Sequence, residues 1–200
     1  MTTRFERQLE ELHVQMITMG SLCEKAISFS SKAIQGEGLS FAKEVFDTDR
    51  EIDEKEREIE TLCMRLLLHQ QPVAGDLREI SAALKMISDM ERIGDQAADI
   101  ADLSQFVDVK KVDSSVDITE MAENTVRMVT ESVDAFVKAD LNLCRKVIDD
   151  DDLVDNAFNQ IKERLVDLIY EKKIDPKAGL DLLMTAKYFE RIGDHAVTIA

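Results

Sequence analysis

The chain has 200 residues, of which 44% are hydrophobic and 33% are charged, and its formal net charge is −16 at pH 7. It contains only seven glycines, two prolines and no tryptophan, which is typical of long helices with few turns and argues against a sheet protein. The negative charge disfavours binding of nucleic acid or of anionic lipid through a basic patch, so cations and basic protein surfaces are the better partners.

Two long helices are predicted at the start of the chain. The first begins with the capping-box spacing of Thr3 and Glu6, carries apolar residues three or four apart and runs to about Ile34. Gly36 and Gly38 then break this helix, and a second amphipathic stretch with a strongly charged opposite face follows.

A third helix is predicted after Gln71-Pro72, which marks the end of the second. Asp76, with Glu79 three residues later, is interpreted as an acidic capping box that opens this helix. Apolar residues then recur with helical spacing, and the periodicity fades near Phe106.

The second half of the chain is predicted to repeat this arrangement. The stretch 107–117 is charged and weakly periodic, so we place a first three-helix repeat over 1–108 and a second over 109–200. Asp140 precedes the fifth helix, and Asp175-Pro176 opens the sixth, which is expected to be incomplete where the sequence stops.

A repeated pentapeptide supports this duplication. The sequence Glu91–Asp95, which reads Glu-Arg-Ile-Gly-Asp, returns 99 positions later as Glu190–Asp194. A recurrence of five residues by chance has a probability on the order of one in a hundred or less, so we interpret it as duplication. The predicted fold is therefore all-α, with two tandem, internally duplicated three-helix bundles of six long helices in total.

Acidic side chains follow the repeated motif along each half. At about 100° per residue, four acids of the third helix fall within a wedge of roughly 80° that continues its core-facing stripe; they are Glu91, Asp95, Asp99 and Asp102. The sixth helix offers Glu190 and Asp194 in the same way. The second and fifth helices add acids at positions 102 apart, namely Asp49 and Asp53, and Asp151 and Asp155.

Carboxylates that converge between helices must be protonated, paired with Arg92 and Arg191, or bridged by hard cations. The ligand set is nearly all oxygen, which suits Mg²⁺, Ca²⁺, Mn²⁺ or oxygen-ligated iron, and thiolate-bound zinc is not suggested. We therefore predict a metal site in each half, with Asp102 as a possible further support. The alternative is a solvated acidic face whose arginines form surface ion pairs.

Histidine and cysteine offer weaker candidates. His13 lies in a single Glu-x-x-His and is expected on a helix surface, because a carboxylate-bridged di-iron bundle needs a second copy of that motif. His195 is interpreted mainly as an exposed polar residue. Cys23, Cys63 and Cys144 are widely spaced within apolar patterns and are expected to be buried, reduced thiols. With neither a signal segment nor a membrane span, a cytoplasmic protein is expected.

Taken together, several motifs resemble those of the PhoU-type regulators of phosphate transport. They are the duplicated Glu-Arg-Ile-Gly-Asp followed by alanines, the stretch Gln-Pro-x-Ala-x-Asp-Leu-Arg from Gln71 to Arg78, and Met19-Gly20 in the first helix. The resemblance covers essentially the whole chain. It implies a non-catalytic, commonly dimeric protein that dampens phosphate uptake and the phosphate-starvation response when phosphate is plentiful.

The resemblance also implies partners and ligands. A connection between the phosphate ABC transporter, through its ATPase subunit, and the membrane sensor histidine kinase of the phosphate regulon is implied. The family's E(D)xxxD metal motifs correspond to Glu91, Asp95 and Asp99, and to Glu190 and Asp194, where Thr198 replaces the third acid. Iron, zinc, manganese and magnesium are all compatible with the family. A carboxylate-bridged metalloenzyme, a metal-free structural adaptor and a regulator of a different phosphate carrier remain as alternatives.

Overall fold

The computed structural model describes residues 4–37, 39–69, 72–107, 116 and 118–200. Within these ranges the chain forms six helices and no strand. Their bounds are α1 Arg4–Ile34, α2 Leu39–His69, α3 Ala74–Leu103, α4 Thr119–Lys138, α5 Leu141–Tyr170 and α6 Pro176–Ile199. The predicted all-α fold with six long helices is confirmed.

Aspartates begin two of the helices as predicted. Asp140 accepts hydrogen bonds from the backbone N–H groups of Asn142 and Leu143 at 2.9 and 3.1 Å. Asp175 accepts from the backbone N–H groups of residues 177 and 178 at the start of α6, where Pro176 needs no backbone partner. These side chains satisfy amide groups that a helix leaves unpaired at its first turn.

The predicted start of the third helix is wrong by two residues. α3 begins at Ala74, so that Asp76 lies inside the first turn, and its carboxylate accepts a hydrogen bond from the Val73 N–H at 3.3 Å. Glu79 does not complete a capping box, because its carboxylate lies 2.6 Å from Nε2 of His13 on α1. His13 therefore makes a tertiary contact, while its side chain stays 30% exposed at the helix surface.

Some sequence predictions fall outside the described residues. These are the capping role of Thr3, the break at Gly38, the end of the second helix at Gln71 and the boundary between residues 108 and 109. The division into repeats over 1–108 and 109–200 therefore stays a prediction. Of the cysteines, Cys23 and Cys63 are buried and Cys144 is half-buried, and all three are free thiols.

Each half is a bundle of three mutually packed helices, and the two halves meet through α1 with α4 and α3 with α6. α1 and α4 run antiparallel, since His13 stacks edge-on against Phe136 whereas Gln35 hydrogen-bonds Thr119 at the opposite end. α2 and α5 pack mainly within their own halves. The largest fully buried side chains come from both halves and include Phe189, Leu12, Met16, Ile27, Ile52, Ile59, Ile80, Met90 and Ile93.

None of the helices in the described ranges combines the length and the apolar character that crossing a membrane requires.

Candidate functional site

A close approach of α2 to α3 forms the first acidic groove. Gly94, the glycine of the first pentapeptide, is buried on α3, and a Cβ atom there would lie 2.8 Å from Oδ1 of Asp49 and 3.0 Å from Cδ1 of Ile52. The missing side chain is therefore what lets the Asp49 carboxylate reach the surface of α3. The recurrence of a glycine inside both pentapeptides is the sequence signal of this approach.

The Asp49 carboxyl is unusual in its electrostatics. Burial raises its pKa to about 6, and the neighbouring carboxylates of Asp95 and Asp53 add to the rise. Among the described residues its buried Oδ1 finds no hydrogen-bond partner. A buried anionic oxygen without a partner destabilises the folded state, so binding of a proton or a cation at this atom would be stabilising.

Glu91 lies in the same groove and shares this environment. Its pKa is raised by burial, then by the charges of Asp95 and Glu56, and it is lowered by the guanidinium of Arg92. Arg92 is itself exposed, so its guanidinium offsets only part of the negative charge around Glu91. Asp53 is half-buried and Asp95 is exposed at the mouth of the groove. The first half thus brings together Asp49, Asp53, Glu56, Glu91 and Asp95.

The second half repeats the geometry between α5 and α6. A Cβ atom at Gly193 would lie 3.2 Å from Oδ1 of Asp151 and 3.6 Å from Cγ1 of Val154. Burial raises the pKa of Asp151 to about 6, with further contributions from Asp155 and Asp194. The duplication therefore preserves the contact between glycine and aspartate together with its electrostatic consequence.

A lysine beside the second groove has no counterpart in the first half. Lys187 on α6 places its ammonium 2.5 Å from both carboxylate oxygens of Glu190, whose side chain is only 14% exposed. The corresponding residue of the first half is Ser88, whose hydroxyl donates to Oε1 of Glu56 at 3.2 Å. The second acidic groove therefore contains a cation of its own, whereas the first contains an additional acid.

Asp99 and Asp102 lie further along α3 than Glu91, and the charge of Asp99 still adds to the raised pKa of Asp49. Both are exposed, so the core-facing stripe of acids extends no further than Glu91, and the core-facing positions beyond it are taken by Gly94 and Ala97. Asp102 accepts a hydrogen bond from Nε2 of Gln105 at 3.0 Å.

Asp99 turns towards the second half of the molecule. Burial and then the charges of Asp95 and Asp102 raise its pKa, whereas a hydrogen bond from Tyr188 and the charge of Arg191 on α6 lower it. The exposed Arg191 therefore acts across the halves. Thr198, in the matching place, donates its hydroxyl to the backbone carbonyl of its own helix.

His195 forms a contact that the sequence analysis missed. Its Nδ1 lies 2.9 Å from Oδ1 of Asp89, and the two side chains are 19% and 15% exposed. The prediction of an exposed polar residue is therefore wrong, because α6 packs antiparallel along α3 and covers the imidazole. Lys187 was missed as well, although the offset of 99 positions between the motifs sets it against Ser88.

The donor chemistry of both grooves suits a hard cation, since every candidate ligand is a carboxylate oxygen. The unpartnered Oδ1 of Asp49 and the cradle at Gly94 fit such an ion. In the described ranges, however, no three His, Cys, Asp or Glu side chains are already gathered into a group that could hold a metal ion. Binding would therefore require the carboxylates to rotate inwards, which short exposed side chains such as that of Asp95 can do.

The chain matches the model of the PhoU domain family twice, over residues 16–104 and 118–200. It is 35% identical over 197 residues to a Clostridium acetobutylicum protein named phosphate-specific transport system accessory protein PhoU homolog, covering 98% of this chain and 90% of the relative. A protein of the same name from Aquifex aeolicus is 36% identical over 186 residues, with 92% and 84% covered.

Solved structures agree with this similarity. A crystal structure of PhoU from Pseudomonas aeruginosa superposes with a TM-score of 0.88 at 30% identity and covers 98% of this chain and 95% of that one. The phosphate transport system regulatory protein PhoU from Streptococcus pneumoniae superposes with the same TM-score at 22% identity, covering 98% and 93%, and shows the fold alone. The relatives carry the names of accessory and regulatory proteins, not of enzymes.

Proposed function

The chain belongs to the PhoU family, and on this premise we propose that it is an accessory protein of phosphate transport that acts as a negative regulator. It dampens phosphate uptake and the phosphate-starvation response when phosphate is plentiful, and it catalyses no reaction. The family relationship supports this role, because the similarity extends over both halves of the chain and the relatives are named as accessory proteins of phosphate-specific transport.

The proposed mode of action is that of an adaptor. The protein connects the ATPase subunit of the phosphate ABC transporter to the sensor histidine kinase of the phosphate regulon, and it acts as a homodimer in the cytoplasm, peripheral to the inner membrane through these partners. A formal net charge of −16 supports contact with basic segments of the partners, since opposite charges speed and orient association.

Divalent or trivalent cations are proposed to complete the two grooves. In the first, Asp49, Asp53, Glu91, Asp95 and Asp99 would hold the ion. In the second, the duplicates of the first four at 151, 155, 190 and 194 would do so. A bound cation supplies positive charge that offsets the repulsion among these carboxylates. The residues themselves fix the packing of α2 on α3 and of α5 on α6, and so present a defined surface for docking.

The strongest support for cation binding is a geometry that both halves share. A half-buried aspartate rests on a helical glycine in both halves, at 2.8 Å from the Cβ position in one and 3.2 Å in the other, and its pKa is raised to about 6 in both. A purely solvated acidic face would place these carboxylates outwards, where water removes the cost of their charge.

The regulatory role is tested in cells of the source organism grown in phosphate-rich medium, with secreted or periplasmic phosphatase activity as the readout. Deletion of the gene is expected to raise the activity, and the wild-type gene is expected to restore repression. The double variant Asp49→Ala with Asp151→Ala should restore it poorly at an equal protein level. Glu54→Ala, which changes an exposed acid of the same helix α2, serves as the matched control.

The two parts of the proposal fail separately. Unchanged phosphatase activity after deletion would exclude negative regulation of this response and would direct attention to a different phosphate carrier. Full repression by the double variant would leave the regulatory role intact and would remove the carboxylates from it.

A further inference from the structure

One pair of contacting residues differs in charge between the two acidic grooves, although the duplication preserves the place of that pair. In the first half, Ser88 on α3 donates a hydrogen bond to Glu56 on α2. In the second half, the residue 99 positions after Ser88 is Lys187 on α6, and the residue 102 positions after Glu56 is Phe158 on α5. In the second half these two side chains also meet, with the Lys187 ammonium 5.4 Å from the centroid of the Phe158 ring.

The exchange alters the charge of the groove. At the exchanged pair the first groove has a carboxylate, that of Glu56, and the second has an ammonium, that of Lys187, which is a local difference of two charges. Arg50 beside Asp49 and its counterpart Asp152 beside Asp151 differ by two charges in the opposite sense, but Arg50 is exposed and pairs with Asp47 outside the groove at 3.1 Å. Lys187 also occupies both oxygens of Glu190 at 2.5 Å.

We propose that Lys187 acts as a built-in cation that weakens divalent-cation binding in the second groove, so that the first groove is the high-affinity site. This inference rests on the cation binding proposed above. A divalent ion entering the second groove has to displace the ammonium from Glu190 and meets its positive charge. In the first groove, the ion meets an extra carboxylate at Glu56 instead.

Lys187 itself is held in place without a metal. Its ammonium is shared between the Glu190 carboxylate and the face of the Phe158 ring, an arrangement that a cation–π contact stabilises. Lys162 lies over the same ring at 5.6 Å, but its ammonium hydrogen-bonds Oδ1 of Asn159 at 2.8 Å. Lys162 therefore offers a control with the same charge and the same aromatic neighbour.

The test exchanges the residue between the halves and uses Mn²⁺ as the probe in calorimetric titrations of the full chain. The wild type is expected to show one tighter and one weaker site. Asp95→Ala should abolish the tighter site, and Asp194→Ala should abolish the weaker one. Lys187→Ser should strengthen the weaker site about tenfold, and Ser88→Lys should weaken the tighter site by a similar factor, because each changes one charge close to the ion. Lys162→Ser should change neither affinity.

A second readout needs no metal. In chelator at low salt, Lys187→Ser is expected to lower the melting temperature because it leaves the carboxylates of the second groove unneutralised, whereas Ser88→Lys is expected to raise it. Two sites of equal affinity that neither exchange alters would overturn this inference and leave the proposed cation binding standing. Absence of Mn²⁺ binding in every variant would overturn both.

Discussion

At the scale of single residues, Gly94 decides whether Asp49 reaches its place in the groove. Gly94→Ala adds a Cβ atom 2.8 Å from Oδ1 of Asp49 and 3.0 Å from Cδ1 of Ile52, so the carboxylate must move. Both atoms are the ends of flexible side chains, so the clash costs about 1 kcal/mol, and the better helix propensity of alanine returns about 0.5–1 kcal/mol. We expect little net change in the free energy of unfolding, measured with urea, and a lower pKa of Asp49 as its carboxylate moves outwards.

Gly75 supplies the control for this substitution. It lies in the first turn of α3, and among the described residues nothing comes within 4 Å of its Cβ position. Gly75→Ala should therefore leave the free energy of unfolding unchanged or raise it slightly. Equal effects of the two substitutions on the pKa of Asp49 would show that the contact with Gly94 does not hold its carboxylate in place.

The carboxyls of Asp49 and Asp151 predict how stability depends on pH. Their pKa is raised from 3.8 to about 6 in the folded state, so the folded chain binds these protons more tightly than the unfolded chain. Their contribution to stability is unfavourable above pH 6 and is relieved as the pH falls from 6 towards 3.8. Without divalent cations, we expect the urea midpoint to rise as the pH is lowered from 7 to 5.

Asn at position 49 tests the origin of this rise. Asp49→Asn removes the charge at neutral pH, so it should increase the free energy of unfolding at pH 7 by on the order of 1 kcal/mol after allowance for solvent screening, and it should flatten the pH profile. Asp102→Asn changes an exposed acid of α3 and should do neither. A wild-type profile that falls between pH 7 and 5 would contradict the assignment.

At the scale of elements, α3 and α6 join the two halves through polar side chains as well as through apolar packing. The pair formed by His195 and Asp89 lies at one place along the helices, and the hydrogen bond from Tyr188 to Asp99 lies at another. Tyr188→Phe removes only the hydroxyl and should lower the free energy of unfolding by about 1 kcal/mol. Tyr170→Phe, which alters a tyrosine that is 88% exposed, should have no effect in the same measurement.

How far the sequence leads also differs from element to element. Helix number and the close approach at Gly94 were predictable, because apolar spacing and the repeated glycine are local signals. The position of Asp99 was not, since it depends on how α6 is rotated against α3. The sequence places the capping box at Asp76 and Glu79, because an acid three residues before a glutamate has the spacing of a capping box. Asp76 is instead the third residue of α3. The contacts of Lys187 and of Ser88 were not predictable, because they depend on how α6 packs against α5 and how α3 packs against α2.

At the scale of the whole molecule, the net charge of −16 and the two acidic grooves lead to different expectations for different salts. Sodium chloride screens the general repulsion among the acids and should raise the melting temperature gradually over hundreds of millimolar. Divalent ions that bind the grooves should stabilise the folded state at millimolar concentration, since a ligand that prefers the folded chain adds RT ln(1 + [L]/Kd) to its stability.

We therefore expect a few millimolar Mn²⁺ to raise the melting temperature by several degrees beyond sodium chloride of equal ionic strength. Replacing Asp49, Asp95, Asp151 and Asp194 by Asn should abolish this excess while preserving the response to sodium chloride, because the formal net charge changes only from −16 to −12. A variant with four exposed acids of other faces changed, Glu10, Glu54, Glu60 and Glu163, has the same net charge and should retain the excess. If both variants lose it equally, net charge and not the two grooves determines how the fold responds to divalent cations.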